Sequence, residues 1–98
     1  MTADLQRELW TSWASLVRSY AAVHALGKDQ HAVVEVSAES ILLRHGQNTA
    51  QFTWTEYIAP DGTALPFALT VNGRARVGDE EDEMDLIAER LASAIINA

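Results

Sequence analysis

The apolar residues of this chain change their spacing twice, and that change narrows the architecture more than any other feature. Between residues 3 and 26, Leu5, Leu9, Trp13, Leu16, Tyr20 and Val23 recur at intervals of three and four, the repeat that gathers side chains on one face of a helix. Trp10, Val17 and His24 run beside them and widen the stripe, while Arg7, Glu8, Thr11, Ser15, Arg18 and Ser19 mostly take the other side. Thr2 or Asp4 can cap the start, and Gly27 is a natural stop. From Ala32 to Val77 the interval becomes two, the repeat of strands. Over residues 79–97, Met84, Ile87, Leu91 and Ile95 return to helical spacing, broadened by Ala88 and Ala94. The expected fold is α+β: helix, an antiparallel meander of four or five strands, helix, in a two-layer sandwich with both helices on one sheet face.

The strands of the expected meander can be placed one by one. Ala32–Ser37 places Val34 and Val36 on one face, and Ser40–His45 does the same with Ile41 and Leu43. Thr49–Ile58 sends Phe52, Trp54 and Ile58 inward and Gln51, Thr53, Thr55 and Tyr57 outward. Leu65–Thr70 alternates through Leu65, Phe67 and Leu69, and Arg74–Val77 is a short last strand. Register follows from parity, because a slip of one residue would turn every side chain over. An even loop near Ala38-Glu39 pairs Val36 with Ile41 and Val34 with Leu43; one near Gln47-Asn48 pairs Leu43 with Phe52 and Ile41 with Trp54. At Asn72-Gly73 a two-residue loop would mix Leu69 with Arg76 on the core face. A three-residue loop, Val71-Asn72-Gly73, instead pairs Leu69 with Ala75 and Phe67 with Val77, sends Arg74 and Arg76 outward, and puts glycine where a positive φ is favoured. The expected core includes Trp13, Leu16, Phe52, Trp54, Phe67, Leu69, Ile87 and Leu91.

Ninety-eight residues suit one domain, 1–98, with a single core. An apolar content of 48% is that of a globular chain. Seven Lys and Arg against fourteen Asp and Glu give a net charge of −7. Six of the acids fall in one run, Asp79, Glu80, Glu81, Asp82, Glu83 and Asp85; without them seven bases face eight acids. With no cysteine, disulfide scaffolds, thiol catalysis and cysteine zinc sites are excluded. No stretch reaches the ~18 apolar residues of a membrane span, and no basic-then-apolar leader opens the chain, so a cytoplasmic protein is expected.

Chemistry-bearing patterns are few. The acidic run does not fit an Asp-x-Asp-x-Asp-Gly calcium loop and reads as a helix N-terminus, capped by Asp79 and stabilised by the helix dipole. His24, His31 and His45 have no metal-binding spacing; His45 faces the core near a sheet end. Glu56 also faces inward, opposite Glu39, roughly 20 Å along the strand from His45, too far for an acid–base pair. No nucleophile elbow or phosphate loop is present, and the glycines mark element ends. Trp13 and Trp54 read as core aromatics. No catalytic residue, cofactor or metal ligand is assigned, and an enzyme is the less favoured reading.

The outer sheet face remains, with no helix left to cover it. Val33, Leu42 and Tyr57 form an apolar patch on it, and Glu35, Arg44, Arg74 and Arg76 flank that patch. Such a mixture suits a protein partner or a homodimer, with Arg44, Arg74 and Arg76 reaching carboxylates such as Glu35 of the other copy. Nucleic acid is excluded as a partner by the charge and the lack of a basic groove. The alternative is a small-molecule site or enzyme pocket between helix and sheet near His45 and Trp54. In element order the chain resembles the dimeric chaperones of bacterial secretion systems. Those insert a helix among the strands, for which Ala59–Ala64 is too short, so the resemblance is one of architecture and transfers no residues.

Overall fold

The computed structural model describes residues 2–98. Helix α1 spans Ala3–Ala25. Of the two expected caps it uses Thr2, whose Oγ1 accepts the Leu5 N–H at 3.1 Å and satisfies one of the orphan donors of the first turn. Gly27, at φ +77°, turns the chain away past the other end. Leu9, Trp10, Trp13, Ala14, Val17 and Ala21 are buried along one stripe.

Seven strands follow, β1 (Ala32–Val36), β2 (Ser40–His45), β3 (Asn48–Thr53), β4 (Glu56–Ile58), β5 (Ala64–Leu69), β6 (Arg74–Val77) and β7 (Glu80–Glu83), and then α2 (Met84–Ile96). Their spatial order is their chain order, every neighbouring pair antiparallel. Both helices lie on one face, giving the expected α+β sandwich. They run in the same direction: the Tyr20 hydroxyl donates to Asp85 Oδ1 at 2.6 Å, His24 Nε2 lies 3.1 Å from Glu89 Oε1, and Lys28 Nζ donates to Asn97 Oδ1 at 2.7 Å. Residue numbers therefore climb together along the two helices. At the centre of the core, Trp13, Phe52 and Phe67 form a triangle with ring centroids 5.2–5.3 Å apart, and Tyr57 stacks on Phe52 at 4.9 Å. Each such pair adds ~0.5–1.5 kcal/mol beyond the area it buries. Trp13 is fully buried and its Nε1 has no hydrogen-bond partner.

Two turns behave as their residues dictate. Val36 pairs with Ile41 and Val34 with Leu43. Phe67 pairs with Val77 and Leu69 with Ala75 across the three-residue loop Val71-Asn72-Gly73. Gly73 sits there at φ +75°, and Val71 is left 58% exposed. The β2–β3 hairpin is tighter than expected. His45 pairs with Asn48 across Gly46-Gln47, so Leu43 meets Ala50 and Ile41 meets Phe52. The partners slide by two places, and because two is even the inward face is unchanged.

Two elements differ in kind. Thr49–Ile58 is not one strand. Thr53 Oγ1 accepts the N–H groups of Thr55 and Glu56 at 3.3 and 3.1 Å, closing a turn at Trp54-Thr55. This turn reverses the inward parity: Phe52 now pairs with Tyr57, and both are buried, Tyr57 to 4% exposure. Tyr57 is thus a core residue rather than a surface one. Glu56 is exposed and lies opposite Pro66, not inward against Glu39. Trp54 is 36% exposed at the loop, stacked on Trp10 at 4.4 Å. Both indoles donate to the β1–β2 turn, Trp10 to the Ser37 carbonyl at 2.8 Å and Trp54 to the Ala38 carbonyl at 2.9 Å.

The second difference is the acidic run. Glu80–Glu83 is an edge strand, and α2 starts only at Met84, with no side-chain cap from Asp79 or any other residue. Gly78-Asp79 forms a two-residue hairpin loop pairing Val77 with Glu80, Gly78 taking φ +61°. The strand pairs with β6 along its whole length, and its acids alternate toward different bases. Glu81 bonds Arg74 at 3.3 Å and Arg76 at 3.2 Å on the outer face, while Glu80 bonds Arg90 of α2 on the inner one. The buried side of α2 is centred on Ile87, Ala88, Ala92 and Ile95; Leu91, like Leu16 and Leu69, is partly buried at its margin.

Candidate interaction face

The side of the sheet away from the helices is built by alternation. Reading across it, Glu35, Leu42, Gln51, Ile58 and Ala64 stand in one row, each paired with the next. Val33, Arg44 and Thr49 form a second row beside it. At the far end Ala68, Arg76 and Glu81 form a third, and Arg74 stands opposite Glu83. Val33 is 42% exposed; Leu42 and Ile58 are half-buried. A shallow depression of about 270 Å³ lies at the β1–β2 end, lined by Glu35, Val36, Ser37, Ser40, Leu42 and Gln51.

Of the residues expected to form an interface, Val33, Glu35, Leu42 and Arg44 come together on β1 and β2. Arg74 and Arg76 share the face but lie beyond three intervening strands. Tyr57 is not among them, its ring being on the inner face. Ile58 takes its place outside, and the signal for it was the break in parity between Trp54 and Tyr57. The arginines are also not free. Arg44 Nη2 is 3.1 Å from Glu35 Oε1 within the chain, and both far-end arginines are held by Glu81. Exposed pairs of this kind contribute ~0–1 kcal/mol each. Four carboxylates (Glu35, Glu56, Glu81, Glu83) against three guanidiniums (Arg44, Arg74, Arg76) leave the face one negative charge from neutral, although the whole chain carries −7.

The residues of the alternative site separate. His45 lies at one end of β2, its Nε2 donating to the Gln30 carbonyl at 3.2 Å, beside an open hollow of Gly27, Lys28, Asp29 and Gln30. Trp54 touches the opposite end of the β1–β2 hairpin and borders a groove of about 400 Å³ with Gln6, Leu9, Thr55, Ala68 and Leu69. The hollow beside His45 and the groove beside Trp54 share no lining residue among the described residues. Among the described residues no three His, Asp or Glu side chains converge as a metal set, and no helix is long and apolar enough to cross a membrane. Comparison with protein-family models, with curated proteins and with solved structures found no match.

Proposed function

We propose that the chain is a protein-interaction module, not an enzyme, and that its outer sheet face docks on a second copy of itself. The observation that supports this most is the placement of both helices on one face of the sheet, which leaves Val33, Leu42 and Ile58 facing solvent on the other. The charge balance of that face favours a copy of the chain as the occupant. A two-fold pairing brings each patch against itself, and a face of mixed, nearly cancelling charge meets itself without the repulsion that a chain of −7 would otherwise suffer. Arg44 and Glu35 of each copy can exchange partners across the contact without leaving a charge unpaired. A stable dimer needs about 600–1,000 Å² from each copy; the chain exposes 5721 Å² in all, so this is roughly a tenth to a sixth of its surface.

Sedimentation of the wild type and of Leu42→Asp tests the reading. A concentration-dependent dimer that the substitution returns to monomer, with the circular dichroism unchanged, is the expected result. A wild type that stays monomeric at high concentration ends the dimer. A Leu42→Asp protein that still dimerises moves the contact to the β1 edge or to the helices.

A further inference from the structure

The two edges of the sheet are finished differently. At one, β7 carries an acid at every position from Glu80 to Glu83, and a charged edge resists the addition of another strand. At the other, β1 reads Ala-Val-Val-Glu-Val, with no proline or lysine to blunt it. Its register against β2 is unbroken over all five residues, so no bulge turns the edge away. Trp10 and Trp54 hold the β1–β2 turn in place, so the edge is already extended. Alternation fixes which of its backbone groups are free. The Ser37 N–H donates to the Ser40 carbonyl at 2.9 Å, so these two form a hydrogen-bonded pair. In an antiparallel ladder such pairs recur at every second residue. Glu35 and Val33 therefore bond β2, whereas the N–H and C=O groups of Ala32, Val34 and Val36 point out of the sheet, where no other described backbone meets them.

We propose that β1 is the docking edge for an extended segment of another protein, added antiparallel as one more strand and alternating apolar with basic residues. The backbone of a strand is the occupant that matches a row of donors and acceptors repeating at every second residue. Antiparallel addition is the more stable kind per residue. The apolar positions follow from the pairing. Residues that exchange hydrogen bonds in such a ladder stand directly opposite and share a face, so the segment residues that bond Ala32, Val34 and Val36 turn their side chains to the helix side. There α1 packs over β1, and Val36 is left 39% exposed with no neighbour beyond the edge. The residues between them fall on the outer face, opposite Val33 and Glu35. Charge makes these basic. From Asp29 to Glu39 the chain carries three acids and no lysine or arginine, and its net charge of −7 repels an acidic segment. Arg44 bonds Glu35 through Oε1 from the β2 side, which leaves the edge side to a base from the segment. A second copy fits less well, since its own β1 brings another Glu35 and no cation. The added strand lies in the plane of the sheet, so the outer face stays open.

The probe is the peptide acetyl-Lys-Val-Lys-Val-Lys-Val-Lys-amide, titrated into the full chain while amide hydrogen exchange in β1 is followed by NMR. In the chain alone the amides of Val34 and Val36 should exchange fast and that of Glu35, bonded to β2, slowly. With the peptide at ten times its Kd, Val34 and Val36 should slow about tenfold. N-methylation of the peptide's valines should abolish this protection, because their N–H groups face β1; N-methylation of the lysines between them should leave it. A peptide with glutamate in place of lysine should bind about tenfold more weakly or worse, and the gap should narrow in high salt. Val36→Pro removes one outward N–H at an edge, where proline is tolerated. It should weaken the peptide at least about threefold, while a protected Glu35 amide reports that β1 still pairs with β2. Protection of Val34 and Val36 without peptide would overturn the proposal, because a second copy would then hold the edge. So would no protection with peptide, loss on methylating the lysines rather than the valines, equal binding of the glutamate peptide, or binding untouched by Val36→Pro. Exchange in β1 reads the edge whether or not the outer faces pair.

Discussion

Raising the pH through the titration of Tyr57 offers a direct reading of how deeply the β3–β4 turn has driven that residue into the core. An unfolded chain ionises its tyrosines near the ordinary value of 10.0, whereas in the folded protein burial, helped by the carboxylate of Asp61, holds the Tyr57 phenol to about 12. Between those two values the folded state keeps a proton that the unfolded state has released, so stability is undiminished below the first and falls as the pH climbs toward the second. Each unit of separation corresponds to about 1.4 kcal/mol, so the whole window removes roughly 2–3 kcal/mol, a large part of the ~5–15 kcal/mol that holds a domain folded. Tyr20 would confuse the signal, because its hydrogen bond to Asp85 also raises its phenol. The measurement is therefore made in a Tyr20→Phe background, by urea unfolding at a series of alkaline pH values, with tyrosinate absorbance reporting Tyr57 itself. The same series with Tyr57→Phe added should lose the alkaline step, and the other titrating groups cancel in the difference. If both proteins lose stability in parallel above pH 10, or if the absorbance titrates at the value of free tyrosine, the ring is not buried and the turn at Trp54-Thr55 is misplaced.

Three further outcomes follow from the turns and the edge. Gly73→Ala should destabilise by ~1–2 kcal/mol through its positive φ alone, because a methyl there meets nothing within 4 Å; thermal melts of the variant against wild type check this. Glu81→Gln frees Arg74 and Arg76 together, and because all three groups are partly exposed the loss should stay below about 1 kcal/mol and shrink further in high salt. Trp54→Ala removes the stack on Trp10 and the bond to the Ala38 carbonyl, and should lower stability by ~1–2 kcal/mol. Its near-ultraviolet dichroism should lose the signal of the coupled indoles, and an unchanged spectrum would mean that they do not stack.

The parts of this fold that could be read in advance are those set by local rules. The stripe of α1, the pairing of Val36 with Ile41 and the placement of Gly73 each depend on side-chain spacing and turn chemistry within a few residues. Parity carried the argument through even where the β2–β3 loop was shorter than expected, since a shift of two leaves every face as it was. The misreadings arose where a local rule met a competing one. Thr49–Ile58 alternates well enough to pass for one strand, yet ten residues is at the upper end of the usual strand length of about 3–10, and the apolar residues change face between Trp54 and Tyr57. A helix N-terminus welcomes acids, so the run at 79–85 suited one. What decided otherwise was Gly78-Asp79, a hairpin signal directly after a strand, together with the pairing of Glu81 with Arg74 and Arg76 of the neighbouring strand. The site followed the same division. Val33, Glu35, Leu42 and Arg44 lie on strands whose register was legible; Tyr57 depended on the hidden turn and changed sides with it.

The parallel course of the two helices has a consequence for how the chain is made. Each strand pairs with its immediate neighbour in the chain, so the sheet can zip up as it emerges. The helix layer cannot. Tyr20 waits for Asp85 and His24 for Glu89, each 65 residues downstream. At ~5–20 residues per second of synthesis, α1 spends roughly 3–13 s before α2 arrives to cover it. Trp10 and Trp13 can settle on the first hairpins during that time, but the side carrying Tyr20 and His24 is closed only by α2. A ribosome paused anywhere between β3 and β7 therefore holds out a helix with one wet hydrophobic flank, the form of the chain most exposed to chaperones, to proteases and to other unfinished copies of itself.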